Sequence, residues 1–181
     1  MGYGLGRANP QPPRRGIFRI GFSRLPEILF YCLERKSIED IIPGLLERTT
    51  ERGWRAIVRV DSTERMNSLD AYLWTYSDQS FLAHGTPETA HPSRQPIYLT
   101  TGNENPNAAR VLFLAGGEIP SDWDTSGIAN FSRVVVLFDG QNPELLKAAR
   151  DSCANAARRG GSAVFWRQNA SGKWEQEKLL P

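Results

Sequence analysis

Two textures of apolar and polar positions alternate along this chain. Compact apolar runs read as strands buried on both faces. They are EILFYCL at Glu27–Leu33, WRAIVRV at Trp54–Val60, the short runs at 96–100 and 110–114, and RVVVLF at Arg133–Phe138. Between them lie stripes of helical period. Ile38, Ile41, Ile42, Leu45 and Leu46 mark one face of a first helix, with Ser37 and Asp40 spaced as an N-terminal cap and Gly53 as its stop. Pro43 costs least in a first turn, which moves the expected start towards Ile42. A second helix spans Thr63–Trp74 behind Ser62, with Arg65 where a full capping box wants an acid or Gln. A third opens on Asn142-Pro143, runs to about Arg159 and stops at Gly160. Ser162–Gln168 is a last strand, Asn169–Gly172 a turn, and Trp174 begins a charged tail. Residues 115–130, rich in Gly, Pro, Ser and Asp, read as an irregular connection.

The stretch Leu69–His84 stands apart. Leu69, Leu73 and Trp74 recur at one helix face, polar turn residues follow, and Phe81-Leu82 begins a short strand. Trp74 and Phe81 therefore form an apolar corner, which is either core or a docking site for another protein. The order of strands and helices predicts an α/β three-layer sandwich, with a mainly parallel central sheet between helices. It is Rossmann-like, but no glycine-rich nucleotide loop joins a strand to a helix; GYGLG near the start has neither flank.

Charge divides the chain. Residues 1–26 hold Arg7, Arg14, Arg15, Arg19 and Arg24 and no acid; the net charge of +2 less this +5 leaves −3 on the rest. Met1–Ser23, with its Gly, Pro and Arg, reads as a disordered basic arm or a mis-called start, and residues 24–181 as one α/β domain. Arg14-Arg15 lacks the clean apolar region of a twin-arginine export signal. As a nucleic-acid arm this segment would bind in a steeply salt-dependent way. The remainder has no basic excess of the kind that grips a phosphate backbone. No apolar run reaches membrane-spanning length. Cys32 and Cys153 have no CxxC partner and read as free buried thiols in a reducing cytoplasm rather than a disulfide or zinc site.

Catalytic machinery is not visible. Asp139 ends a buried strand, where α/β folds place ligands, and with Gly102–Asn107 it supports an alternative: a small nucleotide-binding protein or enzyme. The competing reading of Asp139-Gly140 is a turn. His84 and His91 lie on a loop or its edge, the pairs Glu39-Asp40 and Asp122 with Asp124 read as solvated, and nothing has metal-ligand or nucleophile-elbow spacing. Lys147, Arg150, Arg158 and Arg159 form a basic cluster on the third helix. Such cations complement the negative helix end, or hold an acidic peptide by paired hydrogen bonds to its carboxylates.

Five ordered segments carry a resemblance: FYCLERKSIEDIIPGLLERTTERGWRAIV, LDAYLWTYSDQSFLAHG, QPIYLTTGNENPN, RVVVLFDG and AVFWRQNASGKWEQ. Together, over about Leu25–Lys178, they resemble the chi subunit family of bacterial DNA polymerase III in its alphaproteobacterial form. The resemblance implies a non-catalytic, cytoplasmic accessory subunit without cofactor or metal, meeting DNA only indirectly. One surface of such proteins binds the psi subunit and so the clamp loader; Trp74 and Phe81 match its aromatics, though the partner there can be an equivalent of psi. Another binds the acidic C-terminal tail of single-stranded-DNA-binding protein (SSB). Arg150 matches that site's arginine, counting back from Gly160. Cys153 and Ala154 replace the aromatic and lysine that follow it, which implies weaker tail binding unless Arg158 or Arg159 substitutes.

Overall fold

The computed structural model describes residues 25–125, 127–169 and 171–177, so the basic arm expected at Met1–Ser23 lies outside the described residues. Eight strands form one sheet: β1 (Glu27–Leu33), β2 (Ala56–Arg59), β3 (His84–Gly85), β4 (Ile97–Thr100), β5 (Val111–Leu114), β6 (Arg133–Asp139), β7 (Ala163–Gln168) and β8 (Trp174–Glu177). Their order across the sheet is β3-β4-β2-β5-β6-β1-β7-β8. Every neighbouring pair is parallel except β7 with β8. The helices are α1 (Ile38–Glu51), α2 (Thr63–Thr75) and α3 (Pro143–Arg158).

A parallel sheet needs cover on both faces, and side chains alternate between them. Val58 of β2, Leu99 of β4, Phe113 of β5 and Leu137 of β6 face α1 and α2, where Ile42, Leu46, Leu69 and Leu73 meet them. Phe30 of β1, Leu112 of β5, Val136 and Phe138 of β6 and Phe165 of β7 face the other way, onto Ala149, Cys153 and Ala156 of α3. The single helix on that side covers only part of it. The irregular segment after β5 covers the rest, with Trp123, Ile128 and Phe131 buried. The Trp123 ring meets Phe30 edge-on at 5.8 Å, and its indole N–H donates to the Ser152 carbonyl at 3.4 Å. The three layers expected from the sequence are present, but one outer layer is half loop.

Four local expectations are corrected. Helix α1 starts at Ile38, not near Ile42. Ser37 and Asp40 close a reciprocal capping box, with Asp40 N–H donating to Ser37 Oγ at 3.2 Å and Ser37 N–H to Asp40 Oδ2 at 2.9 Å. Pro43 lies inside the helix, where its missing N–H forfeits the bond to the Glu39 carbonyl. The short strand expected to begin at Phe81-Leu82 begins only at His84 and is confined to His84–Gly85, because pairing with β4 begins where His84 stands opposite Ile97. His84 is buried rather than on a loop edge. The charged tail is in part a strand: after a turn closed by Gly172 at φ +79°, β8 pairs back on β7, and Trp174 packs edge-on against Tyr31 at 5.0 Å.

Both cysteines are free and buried, and burial pushes each thiol up to about 11. They are small apolar packing groups at neutral pH. No helix among the described residues is long and apolar enough to cross a membrane. Phe30 is fully buried where Trp123 and Phe165 converge on it. Phe30→Ala should therefore cost about 3–5 kcal/mol, measured by urea unfolding.

Candidate interaction surfaces

Met66, Leu69 and Leu73 form the buried stripe of α2. Trp74 follows Leu73 by one residue, about 100° further round the helix, so it leaves that stripe. It is 55 % exposed, and Phe81 is 72 % exposed; no other large hydrophobic among the described residues stands out this far. The two rings lie 5.8 Å apart at 46°. Beneath Trp74, the buried His84 ring sits 4.7 Å away. His84 is itself held, Nδ1 at 2.6 Å from the Leu82 carbonyl and Nε2 at 3.3 Å from both the Asp70 carbonyl and Asp70 Oδ1.

The turn that presents Phe81 is tied to α1. Glu47 accepts hydrogen bonds from the Tyr76 hydroxyl at 2.7 Å and from the Ser80 hydroxyl. These two donors, Ser80 first, hold the Glu47 carboxyl below its usual range. The corner is thus a pair of exposed rings on a fixed support, which limits the side-chain ordering cost of docking.

Helix α3 carries the candidate cations. Lys147, Arg150, Ala154 and Arg158 follow an i, i+3, i+7, i+11 spacing and share one stripe, about 16 Å long at ~1.5 Å per residue. Arg159, the C-cap residue, belongs to another side: its guanidinium pairs with Asp122 at 2.7 Å and Asp124 at 3.7 Å. Arg150 pairs with Glu177 of β8 at 2.8 Å. Glu177 also approaches Arg167 at 3.9 Å, and Arg167 donates to Glu34 at 2.6 Å, a hydrogen bond that holds its guanidinium above its usual range. Arg150 is therefore the end of an alternating charge chain. Lys147 and Arg158 are exposed and have no ion pair among the described residues. Glu177 was not visible as a partner in the sequence, because only the unexpected strand β8 brings it 27 residues back to Arg150.

The Asp139 alternative has a place in the fold, and the described residues there are engaged in local structure. Helix α1 leaves β1 on one face and α3 leaves β6 on the other, so the cleft at the ends of these adjacent strands is where such folds take ligands. It measures about 450 Å³ and is lined by Glu34, Arg35, Lys36, Arg65, Asp139 and Gln141, among others. Asp139 is exposed, and its Oδ1 accepts from the Gln141 N–H at 2.8 Å, the bond of a local turn. The capping box already occupies the N-terminus of α1. The Gly102–Asn107 loop leaves β4, three strand spacings from β6, roughly 14 Å. It is tied to neighbouring segments, with Asn107 buried and its amide donating to the Ala56 and Gln95 carbonyls. Among the described residues no cluster of three His, Cys, Asp or Glu side chains is placed to hold a metal.

Trp74→Ala and Phe81→Ala should each leave the unfolding free energy within about 0.5 kcal/mol, since both rings are exposed. Glu47→Gln should lower the melting temperature at neutral pH. Glu47 has a lowered value in the fold, so its contribution is complete above the ordinary Glu value of about 4.3. That contribution fades as pH falls through the lowered value, and the two melting curves should converge there.

Comparison with known proteins adds a family. The family described as DNA polymerase III chi subunit, HolC, matches residues 25–163. A relative from Rickettsia prowazekii (strain Madrid E), "Probable DNA polymerase III subunit chi", is 33% identical over 100 residues. The match covers 52% of this chain and 59% of the relative's length.

Proposed function

The chain belongs to the DNA polymerase III chi subunit family, and on that premise we propose that it is a non-catalytic adaptor of the cytoplasmic replication machinery. It is held at two places. At the Trp74–Phe81 corner it docks the clamp loader, through psi or an equivalent protein. Along the α3 stripe it takes the acidic tail of single-stranded-DNA-binding protein.

The observation that carries this reading is the exposure of Trp74 and Phe81 side by side, where no other large apolar side chain among the described residues is exposed. Aromatic rings on a rigid support are the usual centres of binding energy in an interface. On α3, Arg150 supplies the paired donors a carboxylate needs. Arg158 lies on its side of the helix, and Arg159 is already engaged by Asp122 and Asp124. Where a larger tail pocket would need an aromatic and a lysine, the helix has the buried Cys153 and the small Ala154, so the tail has less to hold.

A pull-down from the native cell with the chain as bait tests the first contact. Trp74→Ala or Phe81→Ala should each weaken capture of the clamp-loader partner by roughly 30-fold, the loss of one hot spot of about 2 kcal/mol. Unchanged capture by both variants rejects the corner. For the second contact, a labelled acidic tail peptide should bind more weakly to Arg150→Ala and more tightly to Glu177→Gln, which frees Arg150 from its internal carboxylate. Equal affinity for all three proteins rejects the α3 stripe.

A further inference from the structure

On the face of the sheet opposite α3, α1 does not reach across to β7, and a cleft of about 310 Å³ remains beside it. Leu29, Tyr31, Val164 and Trp166 line it with three cations, Arg48, Arg52 and Arg133, and one carboxylate, Glu27. Tyr31 and Trp166 are register partners on β1 and β7, with ring centroids 6.5 Å apart and planes 18° from parallel. Next to the rim, Trp54 gathers cations: the guanidinium carbons of Arg52, Arg110 and Arg133 lie 5.9, 5.9 and 5.1 Å from its ring centroid. Among the described residues only Arg133 of this group has an ion pair, to Glu27 at 2.6 Å. Arg48, Arg52 and Arg110 are exposed and unpaired there. The net −3 beyond residue 26 therefore conceals a local basic face.

We propose that this cleft binds a single strand of nucleic acid, with the arginines on phosphates and the aromatic floor beneath a base. Three guanidinium groups around one ring, with only Arg133 neutralised by a carboxylate among the described residues, call for an anionic occupant. Arginines beside stacked, half-buried aromatic rings match the two recurring parts of a single strand, its phosphate and its base. A duplex is a cylinder too broad for a cleft of this size, and a peptide of Asp and Glu alone supplies carboxylates without flat rings for the floor. The site is separate from the Trp74–Phe81 corner and from α3, so it stands or falls independently of the proposed adaptor role.

The test is fluorescence anisotropy of the full chain with a labelled oligothymidylate, across a salt series, beside a labelled Asp/Glu peptide. Arg48→Glu/Arg52→Glu changes two exposed positions on one helix face. It should weaken oligonucleotide binding at least tenfold and flatten the slope of log K against log salt by about 1.4, at ~0.7 per phosphate contact. Tyr31→Leu should weaken binding several-fold with the slope unchanged, because it removes stacking and no charge. Circular dichroism melts verify that each variant is folded; if the glutamate pair is not, Arg48→Gln/Arg52→Gln replaces it. Oligonucleotide binding that is absent, or equal in parent and arginine variant, overturns the proposal and in the second case assigns the affinity to the basic arm. Peptide binding lost in the arginine variant while oligonucleotide binding persists also overturns it, and makes the cleft a peptide site.

Discussion

A parallel sheet can leave neither face to water without exposing apolar strands, and everything else in this molecule follows from how that demand is met. Seven strands run parallel. Only three α-helices among the described residues are available to cover them. Two lie together over β2, β4 and β5, and α3 lies alone on the other side. The deficit is made up by a loop that drives Trp123 onto Phe30. Where no element makes it up, beside α1 over β1 and β7, aromatic side chains take the place of a helix and the surface is left concave.

The exposed corner shows how an apolar surface is kept usable. Trp74 rests on the buried His84, and the turn before Phe81 is fastened through Ser80 and Tyr76 to Glu47 of α1. Rings fixed in this way lose little freedom on docking. The α3 stripe is arranged differently. Its arginine is already satisfied by Glu177, so a carboxylate ligand must displace an internal one. Competition of this kind weakens binding and makes it depend on the ligand's charge.

Much of the fold was legible because its signals are local. The apolar run Arg133–Phe138 specifies a central strand, Asn142-Pro143 specifies where α3 starts, and Ser37 with Asp40 caps α1 despite Pro43. What escaped was set by distant pairing. Nothing in WEQE indicates a strand; β8 exists because β7 offers an edge and Tyr31 offers Trp174 a partner. His84 looks like a loop residue until β4 buries it. The same holds for the surfaces. Trp74 and Phe81 stood out as large aromatics, but α2's burial stripe decides that Trp74 faces outward, and the turn held by Glu47 presents Phe81 beside it. The gathering of Arg52, Arg110 and Arg133 on Trp54 joins three separate parts of the chain, and the net charge gives no sign of it.

The rims of the sheet have a consequence for how copies of the molecule meet. One rim is β3, two residues long and too short to template a neighbour. The other is β8, which carries the exposed Glu175, while Glu177 is turned onto Arg150. Two such rims brought alongside each other would set carboxylate against carboxylate, so self-association by strand addition is opposed at both ends. Many copies can then be concentrated on one assembly without fusing into a continuous sheet.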